Sequence, residues 1–197
     1  GGTANISQIT GVGSTVFFAA ENATDGIELW ATDGTPGGTA MVEDINPSGD
    51  SGPIALTPLS GELLFIANDG TGKELWKSDG TANGTVLVKD IRKGVGGGEV
   101  WEVTAVGDTV VFSADDGVFG AELWKSDGTT AGTQFVKDIR PGGYGSVPTS
   151  FTDVSDTVLF SAHNDDYGFE LWKTDGTEAG TVVVKDIYPG GSSSSPG

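Results

Sequence analysis

Cysteine is absent from these 197 residues, which excludes disulfides, thiolate catalysis and cysteine-based zinc sites but leaves secretion open. A single histidine, His163, leaves no Ser-His-Asp constellation to assemble beyond that one ring. Basic residues are scarce: 10 Lys and Arg stand against 28 Asp and Glu, a net charge of −18. Such a surface repels phosphate backbones and anionic lipid heads, and it suits solubility or divalent cations. Nucleic-acid partners and membrane insertion are therefore not expected. No apolar run approaches the roughly 18–20 residues needed to span a bilayer. No basic segment leads into an apolar stretch as a signal peptide would, and the opening Gly-Gly reads as the start of a processed or excised piece. There is also no phosphate-binding glycine loop, no P-loop lysine, and no carboxylate pair that sets one segment apart as an acid–base site.

Glycine, by contrast, is abundant, at 33 residues, and lacks the every-third-residue period of collagen. Its role follows from a repeat. GIELWATDGTPGGT (26–39), GKELWKSDGTANGT (72–85), GAELWKSDGTTAGT (120–133) and GFELWKTDGTEAGT (168–181) are one unit, with Trp30, Trp76, Trp124 and Trp172 at intervals of 46, 48 and 48 residues. Each copy begins on a segment such as VTAVGDTVVFSA and ends on one such as QFVKDI. The third copy reads as four short strands: Val100–Val106, Thr109–Ala114, Glu122–Lys125 and Thr133–Ile139. Every gap is a turn, so no crossover helix fits and the sheets must be antiparallel.

Four-stranded antiparallel units of this period match the blades of a β-propeller. The chain then divides into blades at about 4–45, 54–91, 99–139 and 149–187. A closed four-bladed ring is the natural expectation, as a monomer. The alternatives are part of a larger propeller or other β-repeat array, or an oligomer that completes one ring.

The segments ELWATDGT, ELWKSDGT, ELWKSDGT and ELWKTDGT resemble the ELWxxDGT repeats of large bacterial proteins, and the resemblance covers essentially the whole chain. It implies an extracellular or cell-surface setting and carries no general activity. The turn also resembles, more weakly, the Asp-box of sialidase-type propellers, although it lacks that motif's terminal Thr-Trp.

Asp33, Asp79, Asp127 and Asp175 precede glycine in these turns, where a carboxylate can bond turn amides and glycine tolerates positive φ. They read as structural residues. Strand alternation places the variable loops and connectors on the opposite face, where function is expected to reside. Two features stand out there. Asn22, Asp25, Asn68, Asp69, Asp115, Asp116, Asn164 and Asp165 offer the oxygens calcium would want, though turn chemistry accounts for the same composition. Trp101, Phe119, Tyr144 and Tyr167, with His163 and Asp166, are not shared among the copies and could stack and hydrogen-bond a sugar, or merely cover their own loops.

The expectation from sequence is a non-enzymatic extracellular scaffold or multivalent interaction module, with glycans or other surface proteins as partners. A lectin-like propeller, calcium-dependent or not, is the alternative, and a glycoside hydrolase-like enzyme the more remote one.

Overall fold

The computed structural model describes residues 5–94, 96–191, 193 and 194. Position 4, the expected start of the first blade, and the end of the tail at 195–197 lie outside them.

Sixteen strands alternate with turns, and no helix occurs among the described residues. The first sheet contains β1 (Ile6–Val12), β2 (Thr15–Asn22), β3 (Gly26–Thr32) and β4 (Ala40–Glu43). The second contains β5 (Ile54–Leu59), β6 (Glu62–Asn68), β7 (Lys73–Ser78) and β8 (Val86–Lys89). The third contains β9 (Trp101–Val106), β10 (Thr109–Asp115), β11 (Ala121–Ser126) and β12 (Gln134–Lys137). The fourth contains β13 (Thr149–Val154), β14 (Thr157–Asn164), β15 (Gly168–Thr174) and β16 (Val182–Lys185). Each sheet is an antiparallel meander in sequence order, so the chain is four blades of four strands.

The second strand of each blade is apolar on both faces, and in the second and third blades both faces are covered by neighbouring sheets. In β10, Val110, Val111, Phe112 and Ala114 are all fully buried. Register places each blade's phenylalanine opposite its tryptophan: Phe18 on Trp30, Phe65 on Trp76, Phe112 on Trp124 and Phe160 on Trp172. The core is thus divided into three slabs, one between each pair of successive blades. Leu29 and Val42 meet Leu63 and Phe65 in the first, Leu64 and Val88 meet Phe112 and Trp124 in the second, and Val111 and Val136 meet Phe160 and Trp172 in the third.

The outer strands are shorter than the sequence suggests. Thr133 drops out of β12 because its amide closes the preceding turn on the Thr129 carbonyl, at 3.0 Å. Ile139 drops out because its amide turns inward to the Glu122 carboxylate, at 3.1 Å.

The innermost strands carry a repeated irregularity. Gln8, Ala55, Glu102 and Ser150 occupy equivalent positions, each with positive φ (58°, 53°, 46° and 60°) beside a shift of register between the first and second strands. Left-handed backbone costs a non-glycine residue roughly 1–2 kcal/mol. Two of the four use their side chains across blades, Gln8 accepting from the Ala55 amide and Glu102 from the Phe151 amide.

The expected closed ring is not formed among the described residues. β1 packs on β5, β5 on β9 and β9 on β13, but no comparable packing brings β13 back to β1. The blades form an open succession with two uncovered outer faces.

Candidate functional site

The best-organised polar sites are four buried carboxylates, those of the glutamate that opens each ELW segment. Glu28, Glu74, Glu122 and Glu170 are fully or almost fully buried. Each reaches from the third strand of its blade to the connector that leads away from it. Glu122 accepts from the amides of Ile139, Arg140 and Ser146 at 3.1, 3.1 and 2.9 Å, and from the Ser146 hydroxyl at 2.6 Å. Glu28 does the same with the Ile45 amide and with the amide and hydroxyl of Ser51. Glu170 does so with Ile187 and Ser194. Glu74 has only the amides of Ile91 and Gly98, because glycine stands where the others have serine.

Burial pushes the Glu74 and Glu122 carboxyls up to about 7 against the pull of their donors, with Asp90 and Asp138 adding repulsion. Burial also raises Glu28. At Glu170 burial acts in the same direction, but the Ser194 hydroxyl and the amides of Ile187, Ser194 and Tyr188 outweigh it and hold the carboxyl below its usual range. Buried carboxyls of raised pKa mark catalytic acids in many enzymes. Here their oxygens are occupied by structural donors, so they act as latches that fix the connectors. Sequence reasoning passed over them, although an acidic residue between apolar neighbours, 23 or 24 positions before Ser51, Ser146 and Ser194, was a readable signal.

The DGT turns are built from their own side chains. Asp127 Oδ1 accepts from the Thr129 amide and hydroxyl at 2.9 and 2.7 Å, and Thr129 Oγ1 accepts from the Gly132 amide at 2.9 Å. The same bonds recur at Asp33, Asp79 and Asp175. The threonine hydroxyl and amide hold all four aspartates below the usual range. A side chain at Gly132 would overlap the Asp127 carboxylate, which accounts for glycine there. Asp127→Ala is expected to lower the melting temperature by a few degrees and leave the β circular-dichroism spectrum intact; an unchanged melt would show the turn to be indifferent to its carboxylate.

On the opposite face, the Asx residues bond within their own loops or across to the preceding connector. Asn22 Oδ1 accepts from the Thr24 and Asp25 amides, and its amide donates to Asp25 Oδ2 at 2.7 Å. Asn68 caps Gly70 and Gly72, Asp69 bonds Thr71, and Asp116 caps Val118 and Phe119. Asp115 pairs with Arg92 at 3.1 Å and Asp165 with Arg140 at 2.7 Å. Asn164 donates to the Ile139 carbonyl at 2.6 Å and accepts from the Asp166 amide at 2.9 Å. Among the described residues, no three His, Asp or Glu side chains converge as a metal site.

The unshared aromatics do not converge on one platform. The Trp101 ring, 42% exposed, carries Lys73 Nζ at 3.8 Å from its centroid and so ties the third blade to the second. Phe119 stacks obliquely on Phe135 at 5.1 Å, and Tyr167 packs into the slab between the third and fourth blades. Tyr144 projects into solvent with the Arg140 guanidinium 5.2 Å from its ring. His163 meets the Phe169 ring edge-on at 5.0 Å, with Asp165 3.7 Å from its Nδ1. In all four blades the tryptophan indole N–H is buried without a hydrogen-bond partner among the described residues, a feature with no counterpart in the sequence reading.

No family model matches the chain, and no curated protein is significantly similar to it. The ELWxxDGT resemblance therefore rests on the four motifs alone. Solved structures share the fold. A puromycin hydrolase is similar with a TM-score of 0.59 and 12% identity, over 87% of this chain and 27% of that one. A Mycobacterium tuberculosis puromycin-hydrolyzing peptidase matches at TM-score 0.58 and 11% identity, over 93% of this chain and 30% of its own. The Pyrococcus horikoshii acylaminoacyl peptidase matches at TM-score 0.56 and 12% identity, over 90% and 26%. This chain thus spans less than a third of each protein, and what is shared is a β-propeller-like fold.

These matches correct the functional expectation of a non-enzymatic extracellular scaffold, with a lectin-like propeller as the alternative. The three proteins named are hydrolases in which the matching part is one portion of a longer chain.

Proposed function

We propose that this chain is the propeller part of a larger hydrolase of peptide-like amides, and that it supplies walls against which substrate is held rather than the reacting groups. The observation that carries this reading is the shared fold with puromycin hydrolases and an acylaminoacyl peptidase, over about nine-tenths of this chain and less than a third of theirs. The carboxylates support the second half. The buried glutamates spend their oxygens on connector amides and serines, and the turn aspartates on threonines. His163 has an aromatic edge and a carboxylate beside it, an arrangement that lacks a nucleophile to activate.

The test is turnover of puromycin and of an N-acylaminoacyl anilide by the chain alone and by the natural assembly that contains it. Turnover by the assembly and none by the chain is expected. Hydrolysis by the isolated chain, lost in His163→Ala, would overturn the division of labour. No turnover of either substrate by the assembly would overturn the reading as a whole.

A further inference from the structure

The two uncovered outer faces are halves of one interface that the molecule already contains three times. On the leading side of each blade, equivalent residues of the fourth strand and its connector pack on the next blade. Ile45, Ile91 and Ile139 are 7%, 8% and 2% exposed there, whereas Ile187 of the last blade is 56% exposed. Val42, Val88 and Val136 are 9%, 3% and 7% exposed, against 46% for Val184. On the trailing side, Leu56 and Val103 are each 9% exposed, while Ile9 of the first blade is 70% exposed. A hollow of about 340 Å³ on the last blade includes Leu159 and Leu171, the equivalents of Val111 and Leu123, which in the third blade pack on the next sheet. The vacant trailing face is another of about 220 Å³ lined by Ile6, Phe18, Ala20 and Trp30.

Polar clasps repeat across the same boundaries. Lys89 Nζ donates to the Thr133 carbonyl of the next blade at 2.7 Å, and Lys137 Nζ to Thr181 at 2.8 Å. Thr10 and Thr57 hydroxyls donate to the carbonyls of Leu56 and Val103 in the next blade. Lys185 and Thr152 hold the corresponding donor positions in the last blade and have no such acceptor among the described residues. The matching carbonyls, those of Thr39 and Ile9, belong to the first blade.

We propose that a second copy of this chain covers both faces, leading face to trailing face, to close an eight-bladed ring with two-fold symmetry. The residues that bury the internal boundaries state what fits the outer faces: the same tryptophan-and-phenylalanine surface against the same valine-and-isoleucine surface. One copy does not close on itself, since β13 and β1 lack the packing that joins the first strands of successive blades. Two copies give eight blades, within the usual range of about four to eight, and three would exceed it. Head-to-tail contacts between identical chains end in a ring when the rotation closes, and here both interfaces are then satisfied.

The experiment is light scattering after size exclusion on the purified chain, with Ile187→Asp on the leading face and Ile9→Asp on the trailing face. Both positions are exposed in the single copy, and a melting curve for each variant confirms its fold. Twice the chain mass is expected for the native chain, and one chain mass for each variant alone, with at least a tenfold weaker association. Mixing the two variants is expected to restore a dimer, because one of the two interfaces then pairs native faces. A monomeric native chain, a dimer untouched by either variant, or no recovery on mixing would each overturn the proposal. None of these outcomes depends on hydrolase activity. A Lys185→Glu variant provides a second reading: dissociation at moderate salt is expected, and unchanged mass would count against the clasp and the face it serves.

Discussion

Glu122→Ala is expected to destabilise the chain by about 3–5 kcal/mol, enough to unfold the third blade's connector at ordinary temperature. The substitution leaves four donors without an acceptor, the amides of Ile139, Arg140 and Ser146 and the Ser146 hydroxyl. A buried donor stripped of its partner costs roughly 1–3 kcal/mol, and the empty volume adds to that. Water entering the cavity recovers part of the loss, so the sum stays below four full penalties. The effect reaches beyond one blade, because Ser146 leads into β13 and Ile139 belongs to the slab between the third and fourth blades. Urea or thermal denaturation measures it. A loss below about 1 kcal/mol would show that the glutamate is not the latch described.

Acidification is expected to stabilise the protein between pH 8 and pH 5, the reverse of the usual behaviour of paired carboxylates. Glu74 and Glu122 have folded values near 7 against a reference of 4.5, so between those values the folded chain holds protons that the unfolded chain has released. Their contribution is fully present below about pH 4.5 and is lost as pH rises through about 7. At 1.36 kcal/mol per unit it amounts to about 3 kcal/mol for each group. Glu28, also raised, acts in the same sense. The four turn aspartates and Glu170 act oppositely: their contribution is present above the ordinary carboxylate range and is lost only as pH falls through their lowered values. Maximum stability therefore falls near pH 5, with a melting temperature roughly 10 °C above that at pH 8. Glu122→Gln, which cannot titrate, is expected to remove about half of that difference. A melting temperature that is flat or falls from pH 8 to pH 5 would contradict the burial of these charges.

The blades were legible because three local signals agreed: short runs rich in β-branched and aromatic residues, Asp-Gly turns at fixed offsets, and their fourfold recurrence. Gly34, Gly80, Gly128 and Gly176 adopt the positive φ that the turns require. Ring closure was not legible. It depends on the angle between successive blades, which many weak contacts set together and no single residue encodes. The latch was partly legible, since each ELW glutamate recurs directly before Leu and Trp; what it grips lies in connectors of unlike sequence, and only the serine recurs, in three of the four. Trp101 is unshared and open in sequence to either role, a platform for a sugar or a cover for its own blade. Its partner Lys73 is equally unshared, standing where the other copies have Ile27, Ala121 and Phe169, and that paired departure was the readable sign of their contact.

The absence of native cysteine allows the openness of the array to be measured with spin labels at two introduced sites. Ser14 and Asp156 lie in equivalent exposed turns of the first and last blades, and Asp108 and Asp156 in those of two adjacent blades. With doubly labelled chain diluted in an excess of unlabelled chain, so that only distances within one chain are read, an open succession predicts that labels at Ser14→Cys and Asp156→Cys are much farther apart than labels at Asp108→Cys and Asp156→Cys. Equal distances for the two pairs would mean that the first and last blades are neighbours, and would contradict the account.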